Sequence, residues 1–176
     1  KDDYTVSACP TCTHALRDYV DFFKDDPEML KKAEELRSKT FDFCKLVSML
    51  GGLPDTGDGV PMKVTYHDSC HLNRYLGVTK EQRELLKATK GVELIELRDC
   101  DKCRGFGGSF SVKFPEMSAP ILEEKINNIV ASGADVVAVD CPGCLLQIRG
   151  GLDARGLNNI QVKHTAQIVV EKRKKK

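Results

Sequence analysis

The amino-acid sequence predicts an α/β fold in which a mostly parallel sheet is flanked by helices. Strand-like and helix-like segments alternate regularly from Met62 to the C-terminus, and this alternation is typical of parallel strands joined by helical crossovers. The segment DVVAVD is almost continuously apolar, as a central strand covered on both faces should be. At 176 residues, the chain is long enough for one well-buried domain and part of a second.

Composition and charge exclude several classes of protein. With 27 basic and 26 acidic side chains the net charge is +1, so no overall field favours nucleic acid or a membrane surface. The most hydrophobic stretch is interrupted by Asp135 and Asp140, which predicts that no segment spans a membrane. The opening KDDYTV has no signal-peptide layout, and we expect the chain to be a piece of a longer protein.

The first fifty residues are predicted to contain one strand and otherwise mostly helix. YTVSA is a short strand followed by a helix that begins near Thr11. Asp26 and Pro27 suit the cap and the first position of a long helix, whose apolar spacing continues to about Leu50. Cys44 lies on or beside that apolar stripe, so a buried thiol is favoured over a metal ligand.

A segment rich in glycine, proline and aspartate, GGLPDTGDGVP at residues 51–61, predicts a linker. Beyond it the predicted strands are MKVTYH, VELIEL, DVVAVD and IQVKH. The predicted helices are KEQRELLKATK, APILEEKINNIVASG ending at Gly133, CLLQIRGGLDAR, and a last helix from about Thr165.

Cysteine follows each predicted strand except the last, which is the most informative feature of the sequence. These cysteines are Cys9 and Cys12, Cys70, Cys100 and Cys103, and Cys141 and Cys144. The carboxyl ends of parallel strands share one edge of the sheet, where α/β folds bind ligands. A following helix N-terminus favours the thiolate, and four thiolates suit tetrahedral zinc or an iron–sulfur cluster. We therefore expect a metal site at the carboxyl edge of the strands, with the choice between zinc and a cluster left open.

Simpler interpretations exist for the cysteines. An even count of eight also fits a disulfide framework, but that device is typical of small secreted domains with poor cores. CPGC between a strand and a helix is also the arrangement of a thioredoxin-like dithiol. Independent dithiols, however, have no reason to gather at one edge of a sheet, so the metal interpretation is favoured.

Glycines and histidines beside the cysteines allow further alternatives. The glycines of GFGG, Gly105, Gly107 and Gly108, resemble a phosphate cradle but lack a full G-x-G-x-x-G. Room for a bulky inorganic cofactor is the favoured interpretation of these glycines. Two histidines, His67 and His71, flank Cys70, and capping or packing near the strand end is favoured over metal ligation for both.

Three segments resemble the cysteine-rich CCG domain family: YHDSCHLNRYLGV, CRGFGGSFSVKFPEMS and GADVVAVDCPGCLLQIRGGL. This family includes a component of the heterodisulfide reductases and the iron–sulfur subunits of lactate, glycolate and anaerobic glycerol-3-phosphate oxidoreductases. Its motif is one cysteine, a spacer, Cys-Cys-Gly, a second spacer and C-x-x-C, and members usually carry two copies. The second and third segments are most similar to the lactate-utilisation and glycolate-oxidase branch.

The resemblance implies a domain organisation and a set of ligands. It implies the end of one repeat at residues 1–50, the linker at 51–61, a complete repeat at 62–170 and a basic tail at 171–176. The implied metal ligands of the complete repeat are Cys70, Cys103, Cys141 and Cys144, and Cys9 with Cys12 resembles the closing pair of the preceding repeat.

Arg104 departs from the family pattern, since it stands where the motif has its second cysteine. The repeat then offers four thiols where the full motif has five, so the resemblance implies a cubane [4Fe-4S] cluster or zinc and not the noncubane cluster of heterodisulfide reductases. If the arginine points inward, its permanent charge should raise the reduction potential of a cluster. Cys100 is interpreted as a spectator thiol.

By the same resemblance, the protein would be an iron–sulfur electron-transfer subunit or domain of a lactate or related 2-hydroxy-acid oxidoreductase. It would pass electrons between a substrate-oxidising partner and an electron carrier or quinone-linked partner, without binding the hydroxy acid itself. The expected partners are other subunits or domains of that complex, and the expected location is the cytoplasm, at the inner face of the membrane through those partners. Two alternatives stay open: a structural docking module with zinc or no metal, and a heterodisulfide-reductase-like thiol/disulfide protein.

Overall fold

The N-terminal residues form a small parallel sheet surrounded by helices. In the computed structural model, which describes residues 3–53 and 59–172, β1 (Thr5–Ser7) pairs in parallel with β2 (Thr40–Asp42). The accompanying helices are α1 (Pro10–Arg17), α2 (Tyr19–Phe22), α3 (Pro27–Lys39) and α4 (Phe43–Met49). The predicted first strand and the helix after it are confirmed. The predicted linker falls partly on residues 54–58, which lie outside the described residues.

The prediction of one long helix from Pro27 to about Leu50 is wrong, because a strand divides it. α3 begins as predicted, with the Asp26 carboxylate accepting from two backbone N–H groups of the first turn. The helix ends at Lys39, and the next three residues adopt the extended backbone of β2. The Asp42 carboxylate then accepts from two N–H groups of α4 and starts a new helix. A capping aspartate within an apolar helical pattern was the overlooked signal.

Residues 62–172 build the main sheet, whose strands all run parallel. The strands are β3 (Met62–Tyr66), β4 (Val92–Ile95), β5 (Val136–Val139) and β6 (Gln161–His164), in the spatial order β4-β3-β5-β6. The helical segments are a π-helical segment (His71–Tyr75), α5 (Glu81–Ala88), α6 (Phe110–Lys113), α7 (Pro115–Ser132), α8 (Pro142–Ala154) and α9 (Thr165–Lys172). The α/β prediction is confirmed, with α7 beginning at Pro115 instead of Ala119. Within the described ranges, the helices include none that is long and apolar enough to cross a membrane.

The strand β5 forms the centre of the core, since all of its residues are buried. Successive side chains of a strand point to opposite faces of the sheet. Val137 and Val139 therefore pack with Ile148 of α8 on one face, whereas Ala138 packs with Ile168 of α9 on the other. Burying each such aliphatic side chain contributes roughly 1.5–3 kcal/mol. The apolar run DVVAVD thus has the central position that its composition predicts.

The strand order reverses between β3 and β5. From β3 the chain passes to β4 on one side and then crosses back to β5 on the other side. Open α/β sheets bind ligands in the crevice at this reversal, outside the carboxyl ends of the strands. The residues that follow Tyr66 and Val139 therefore flank the position where the topology favours a site.

One local arrangement occurs twice in the chain. In the first unit (residues 5–49), β1 leads into CPTC at the start of α1, and β2 later leads into α4. In the second unit (residues 136–172), β5 leads into CPGC at the start of α8, and β6 leads into α9. The strand registers correspond, because Ser7 pairs with Asp42 as Val139 pairs with His164. The first unit differs by the insertion of α2 and α3.

The two units pack against each other through side chains near these equivalent positions. Cys44 of α4 and Val169 of α9 belong to one buried apolar cluster, together with Leu85 of α5. His164 Nδ1 accepts a hydrogen bond from the N–H of the second residue of α9 at 3.1 Å, so its other ring nitrogen carries the proton. That Nε2 lies 2.9 Å from the Ala8 carbonyl oxygen and donates to it. The backbone just before CPTC is therefore tied to the end of β6.

Candidate metal centre

Cys141 and Cys144 occupy the junction between β5 and α8, and both thiols are buried. Cys141 has extended backbone at the N-cap, and Pro142 holds the first helical position. The pKa of the Cys141 thiol is lowered to about 5, chiefly by a hydrogen bond from Cys144, with contributions from the charge of Arg104 and the N–H of Gly143. The pKa of Cys144 is raised, because it donates that hydrogen bond and is buried. The pair therefore holds one thiolate near neutral pH, which is the form that ligates metals.

Cys70 lies on the neighbouring strand end, where the chain leaves β3 and enters the π-helical segment. Its Sγ is 3.8 Å from Nδ1 of His71, whose ring stacks on Tyr75 at a centroid distance of 5.0 Å. The charge of Cys70 contributes to the raised pKa of Cys144. The thiols that follow β3 and β5 thus share one electrostatic environment, as their positions at the strand reversal lead us to expect.

The residues between β3 and Cys70 are buried and polar. His67 and Ser69 are each 1% exposed, and His67 Nδ1 and Ser69 Oγ have no hydrogen-bond partner among the described residues. Burial, followed by the charges of Lys125 and Arg104, lowers the pKa of His67 to about 3, so this imidazole is neutral at physiological pH. Buried polar atoms are nearly always paired, and these two stand beside a predicted ligand.

Cys103 is exposed on the loop that follows β4. The N–H of Gly105 donates to its Sγ at 3.4 Å. Gly105 has a φ of +83°, and a Cβ there would lie 2.8 Å from a backbone oxygen of α7; Gly107 has a φ of +51°, and a Cβ there would lie 2.8 Å from Phe110. Gly108 faces open space. Contacts within the chain account for the first two glycines, and the role of all three beside a cofactor stays a prediction.

Arg104 connects the Cys103 loop to the CPGC turn. Its side chain points inward, leaving the residue only 6% exposed. Nη1 lies 3.9 Å from Cys103 Sγ, and Nη2 lies 3.1 Å from the position that a Cβ on Gly143 would occupy. The guanidinium carbon is 5.4 Å from the centre of the Phe106 ring. This side chain brings the ligands predicted on two separate loops into a single neighbourhood.

Cys9 and Cys12 begin α1 in the first unit, where Cys9 is half-buried and Cys12 is exposed. The pKa of Cys12 is raised, first by a hydrogen bond with Cys9 and by the charge of Cys9, and also by the charge of Cys141. The His14 ring of α1 contacts Tyr75 of the π-helical segment, with centroids 4.8 Å apart. The first C-P-x-C therefore lies on the same side of the molecule as Cys70 and Cys141.

Two other cysteines have surroundings of a different kind. Cys44 is fully buried, as predicted, and its thiol donates to Asp140 at 3.5 Å. Cys100 is half-buried and accepts a hydrogen bond from Arg83 at 3.5 Å. Arg83 also pairs with Asp68 at 2.8 Å. The interpretation of Cys100 as a spectator stays a prediction.

A buried polar group behind Cys141 was not foreseen from the sequence. Asp140 is 0% exposed, accepts a 2.6 Å hydrogen bond from the Tyr66 hydroxyl, and lies 3.9 Å from Nε2 of His164. Burial raises the pKa of Asp140 and that of Tyr66. The overlooked signal is an aspartate that ends an otherwise apolar central strand, where an unpaired carboxylate would be costly.

The residue types at this edge are suited to a thiolate-bound cofactor. Thiols follow both strands at the reversal, and the Cys103 loop adds another through Arg104. Arg104 Nε and Ser69 Oγ, both able to donate, have no partner among the described residues and match sulfide or thiolate acceptors. In residues 3–53 and 59–172, no three His, Cys, Asp or Glu side chains are grouped closely enough to hold a single metal ion.

Comparisons with known proteins identify a domain and several relatives that are similar to this chain. Residues 64–149 match the CCG cysteine-rich domain. Lactate utilization protein A of Shouchella clausii is 42% identical over 171 residues, which are 97% of this chain and 71% of that protein. Lactate utilization protein A of Bacillus subtilis is 38% identical over 168 residues, covering 95% of this chain and 70% of the relative. The protein of the same name from Exiguobacterium is 36% identical over 169 residues, 96% and 69% of the two chains.

Proposed function

The chain belongs to the cysteine-rich CCG domain family and, within it, to the group that contains lactate utilization protein A, and from this premise we propose that it is an electron-transfer module carrying a [4Fe-4S] cluster. The proposed ligands are Cys70, Cys103, Cys141 and Cys144. We propose further that the module serves a lactate or related 2-hydroxy-acid oxidoreductase, because relatives that share most of the chain are named for lactate utilisation.

The observation that carries the proposal is the position of cysteines directly after both strands at the reversal. Cys70 and Cys141 follow the adjacent parallel strands β3 and β5, and Arg104 links the Cys103 loop to the CPGC turn. Four thiolates are the usual ligands of a cubane cluster. Independent structural thiols would not need to come from three separate loops to one edge.

Each element supplies a specific part of the binding chemistry. Before a cluster binds, the hydrogen bond from Cys144 and the N-terminus of α8 favour the thiolate of Cys141, and Cys144 would release its proton on becoming a ligand. The Gly105 N–H donates to Cys103, and such N–H···S bonds are one way in which proteins tune a cluster. The buried Ser69 hydroxyl has no partner among the described residues, so it would be free to donate in the same way. A [4Fe-4S] cluster bound by these residues would supply a one-electron redox centre.

The exposure of the thiols suggests where a redox partner docks. Cys141 and Cys144 are buried, whereas Cys103 is exposed. We therefore propose that other subunits or domains of the oxidoreductase, including the electron carrier or quinone-linked partner, approach on the side of the Cys103 loop. The hydroxy acid itself would be bound elsewhere in the complex.

Iron and sulfide analysis tests the proposal directly. The full chain is purified anaerobically, reconstituted with ferrous iron and sulfide, and assayed for both elements and for zinc. We expect one [4Fe-4S] cluster per chain and a paramagnetic resonance signal after reduction with dithionite. Colourless protein that keeps one zinc per chain after reconstitution would contradict the proposal and support the structural docking module. Thiol-dependent turnover of a disulfide substrate without iron would support the thiol/disulfide alternative instead.

A further inference from the structure

The buried guanidinium of Arg104 has no carboxylate partner in the part of the chain that the structure describes. Among the ion pairs of residues 3–53 and 59–172, none includes Arg104, and its Nε makes no hydrogen bond there. Yet the residue is only 6% exposed. Burying a charge without a partner is costly. One group that contacts this cation and can carry negative charge is the thiol of Cys103, with Sγ 3.9 Å from Nη1, and the charge of Arg104 also acts on Cys141 and Cys144.

The position of the guanidinium is fixed by two neighbours. Phe106 lies beneath it, with 5.4 Å between the guanidinium carbon and the ring centre. Gly143 leaves room for it, because a Cβ there would lie 3.1 Å from Nη2 and 3.2 Å from the Phe106 ring. The arginine is therefore enclosed between the aromatic ring and the CPGC turn. Movement away from the thiols would require this packing to open.

The first unit provides an internal comparison for Gly143. The equivalent residue of CPTC is Thr11, which is exposed. A side chain at this position is thus compatible with the C-P-x-C turn itself. The glycine of the second turn is explained by the adjacent Arg104 and Phe106, which connects a ligand-bearing turn to a cation on a different loop.

We propose that Arg104 is the fixed counter-charge of the thiolate site and raises the reduction potential of the cofactor bound there. The inference rests on the proposed function. It adds that the residue in place of the second motif cysteine contributes a cation and N–H donors, and no ligand. When dithionite supplies one electron, the site gains one negative charge and no bond to Arg104 forms or breaks. A nearby cation stabilises the reduced state more than the oxidised state.

Substitutions that remove or displace the charge test this inference without an activity assay. Wild type, R104Q, R104K and G143T, with T11G as the matched control, are reconstituted as full chains and assayed for iron and sulfide. Each is then titrated potentiometrically with dithionite, and the reduced cluster is measured by paramagnetic resonance. At a fixed potential we expect R104Q to lower the ratio of reduced to oxidised cluster by at least about tenfold, which is 59 mV for a one-electron couple.

The other variants separate charge from shape. R104K keeps the cation but loses the planar contact with Phe106, so we expect a smaller decrease than in R104Q. G143T should displace the guanidinium and therefore also lower the ratio of reduced to oxidised cluster. T11G should leave that ratio unchanged. If R104Q and G143T lose the cluster while R104K retains it, the requirement for a cation is supported. Loss of the cluster from R104K as well would overturn the inference in favour of a purely steric role.

The experiment distinguishes failure of this inference from failure of the proposed function. A wild-type chain that takes up no iron and sulfide contradicts the proposed function itself. A wild-type chain that binds the cluster, with the same potential in R104Q and G143T, contradicts only the counter-charge. The ratio of reduced to oxidised cluster could also decrease as much in T11G as in G143T. That result would contradict the counter-charge inference, because the effect would then belong to C-P-x-C turns in general.

Discussion

The two C-P-x-C units of the chain have the same order of strand and helix, but they differ in the size of the sheet behind the turn and in the burial of their thiols. The first lies on a two-stranded sheet, and its thiols are exposed or half-buried. The second lies on the central strand of a four-stranded sheet, and its thiols are buried. The same strand-to-helix turn is therefore presented to solvent in one unit and enclosed in the other. A motif alone does not determine whether its thiols are set in a rigid site; the sheet behind it does.

The surrounding charges differ as well. The CPGC turn lies against Arg104, which contributes to a pKa of about 5 for Cys141. At CPTC the pKa of Cys12 is instead raised by its partner Cys9. Only the second turn therefore combines burial with a neighbouring cation. This comparison predicts that the two units contribute unequally to cofactor binding and to stability.

The largest expected effect is on cluster binding, and it should differ between thiols removed from the two units. We expect C141S to reduce the iron and sulfide bound after anaerobic reconstitution to near zero, because the oxygen of serine is a poor substitute for a buried thiolate ligand. C9S, its counterpart in the first unit, should retain the cluster, because Cys9 is not one of the four proposed ligands. C44S is the control, since Cys44 is buried against Asp140 and is not a proposed ligand. Equal loss in C141S and C44S would contradict the site.

Restoring the second motif cysteine should change the type of cluster. Because Arg104 points toward the thiols, we expect R104C to add a ligand and to alter the absorption and paramagnetic resonance spectra of the reconstituted protein. R98C is the matched control, since the Arg98 side chain is 84% exposed and a thiol there should leave the spectra unchanged. Spectra of R104C identical to those of wild type would show that position 104 does not supply a ligand.

Truncating equivalent apolar residues should show that the two units are packed to different degrees. Ile148 of α8 and Leu16 of α1 each lie seven residues after the first cysteine of their turn. Ile148 is fully buried and Leu16 is half-buried. We expect I148A to lower the free energy of unfolding by about 2–5 kcal/mol and L16A by about 1 kcal/mol, measured by urea denaturation. Equal losses would mean that both units are packed to the same degree.

Much of this architecture could be predicted from local patterns. The apolar run DVVAVD placed β5 at the centre, and the positions of the cysteines placed the thiols at the carboxyl edge. β2 was missed, because its three residues have a helical apolar spacing and become a strand only by pairing with distant β1. Tertiary pairing overrides local propensity in such short segments.

The charges of the site could not be predicted for a similar reason. The sequence identified Arg104 as unusual but not its direction, since that depends on the space left by Gly143, 39 positions further along the chain. The difference between CPGC and CPTC was visible in the sequence and could have indicated this contact. The pairing of Asp140 with Tyr66 likewise depends on the adjacency of β3 and β5, which no local pattern encodes.

The pH dependence of stability should reflect the buried capping aspartate Asp42, and this is the smallest expected effect. Asp42 caps α4 at a buried position, where burial and then the charge of Asp140 raise its pKa to about 6; His164 acts in the opposite direction. The folded state therefore holds this proton more tightly than the unfolded state, whose aspartate pKa is about 3.9. The contribution to stability is present below about pH 4 and is lost as the pH rises through about 6.

Substituting each cap with asparagine isolates this contribution, because asparagine caps a helix as well as aspartate does. At pH 8 we expect D42N to raise the free energy of unfolding by about 1–3 kcal/mol, and we expect the gain to vanish near pH 4. D26N makes the same substitution at an exposed cap of α3 and controls for the exchange of a capping carboxylate for an amide. Urea denaturation between pH 4 and pH 8 measures both variants. A pH-independent gain in D42N would mean that burial and the charge of Asp140 do not raise the pKa of Asp42 in the folded state.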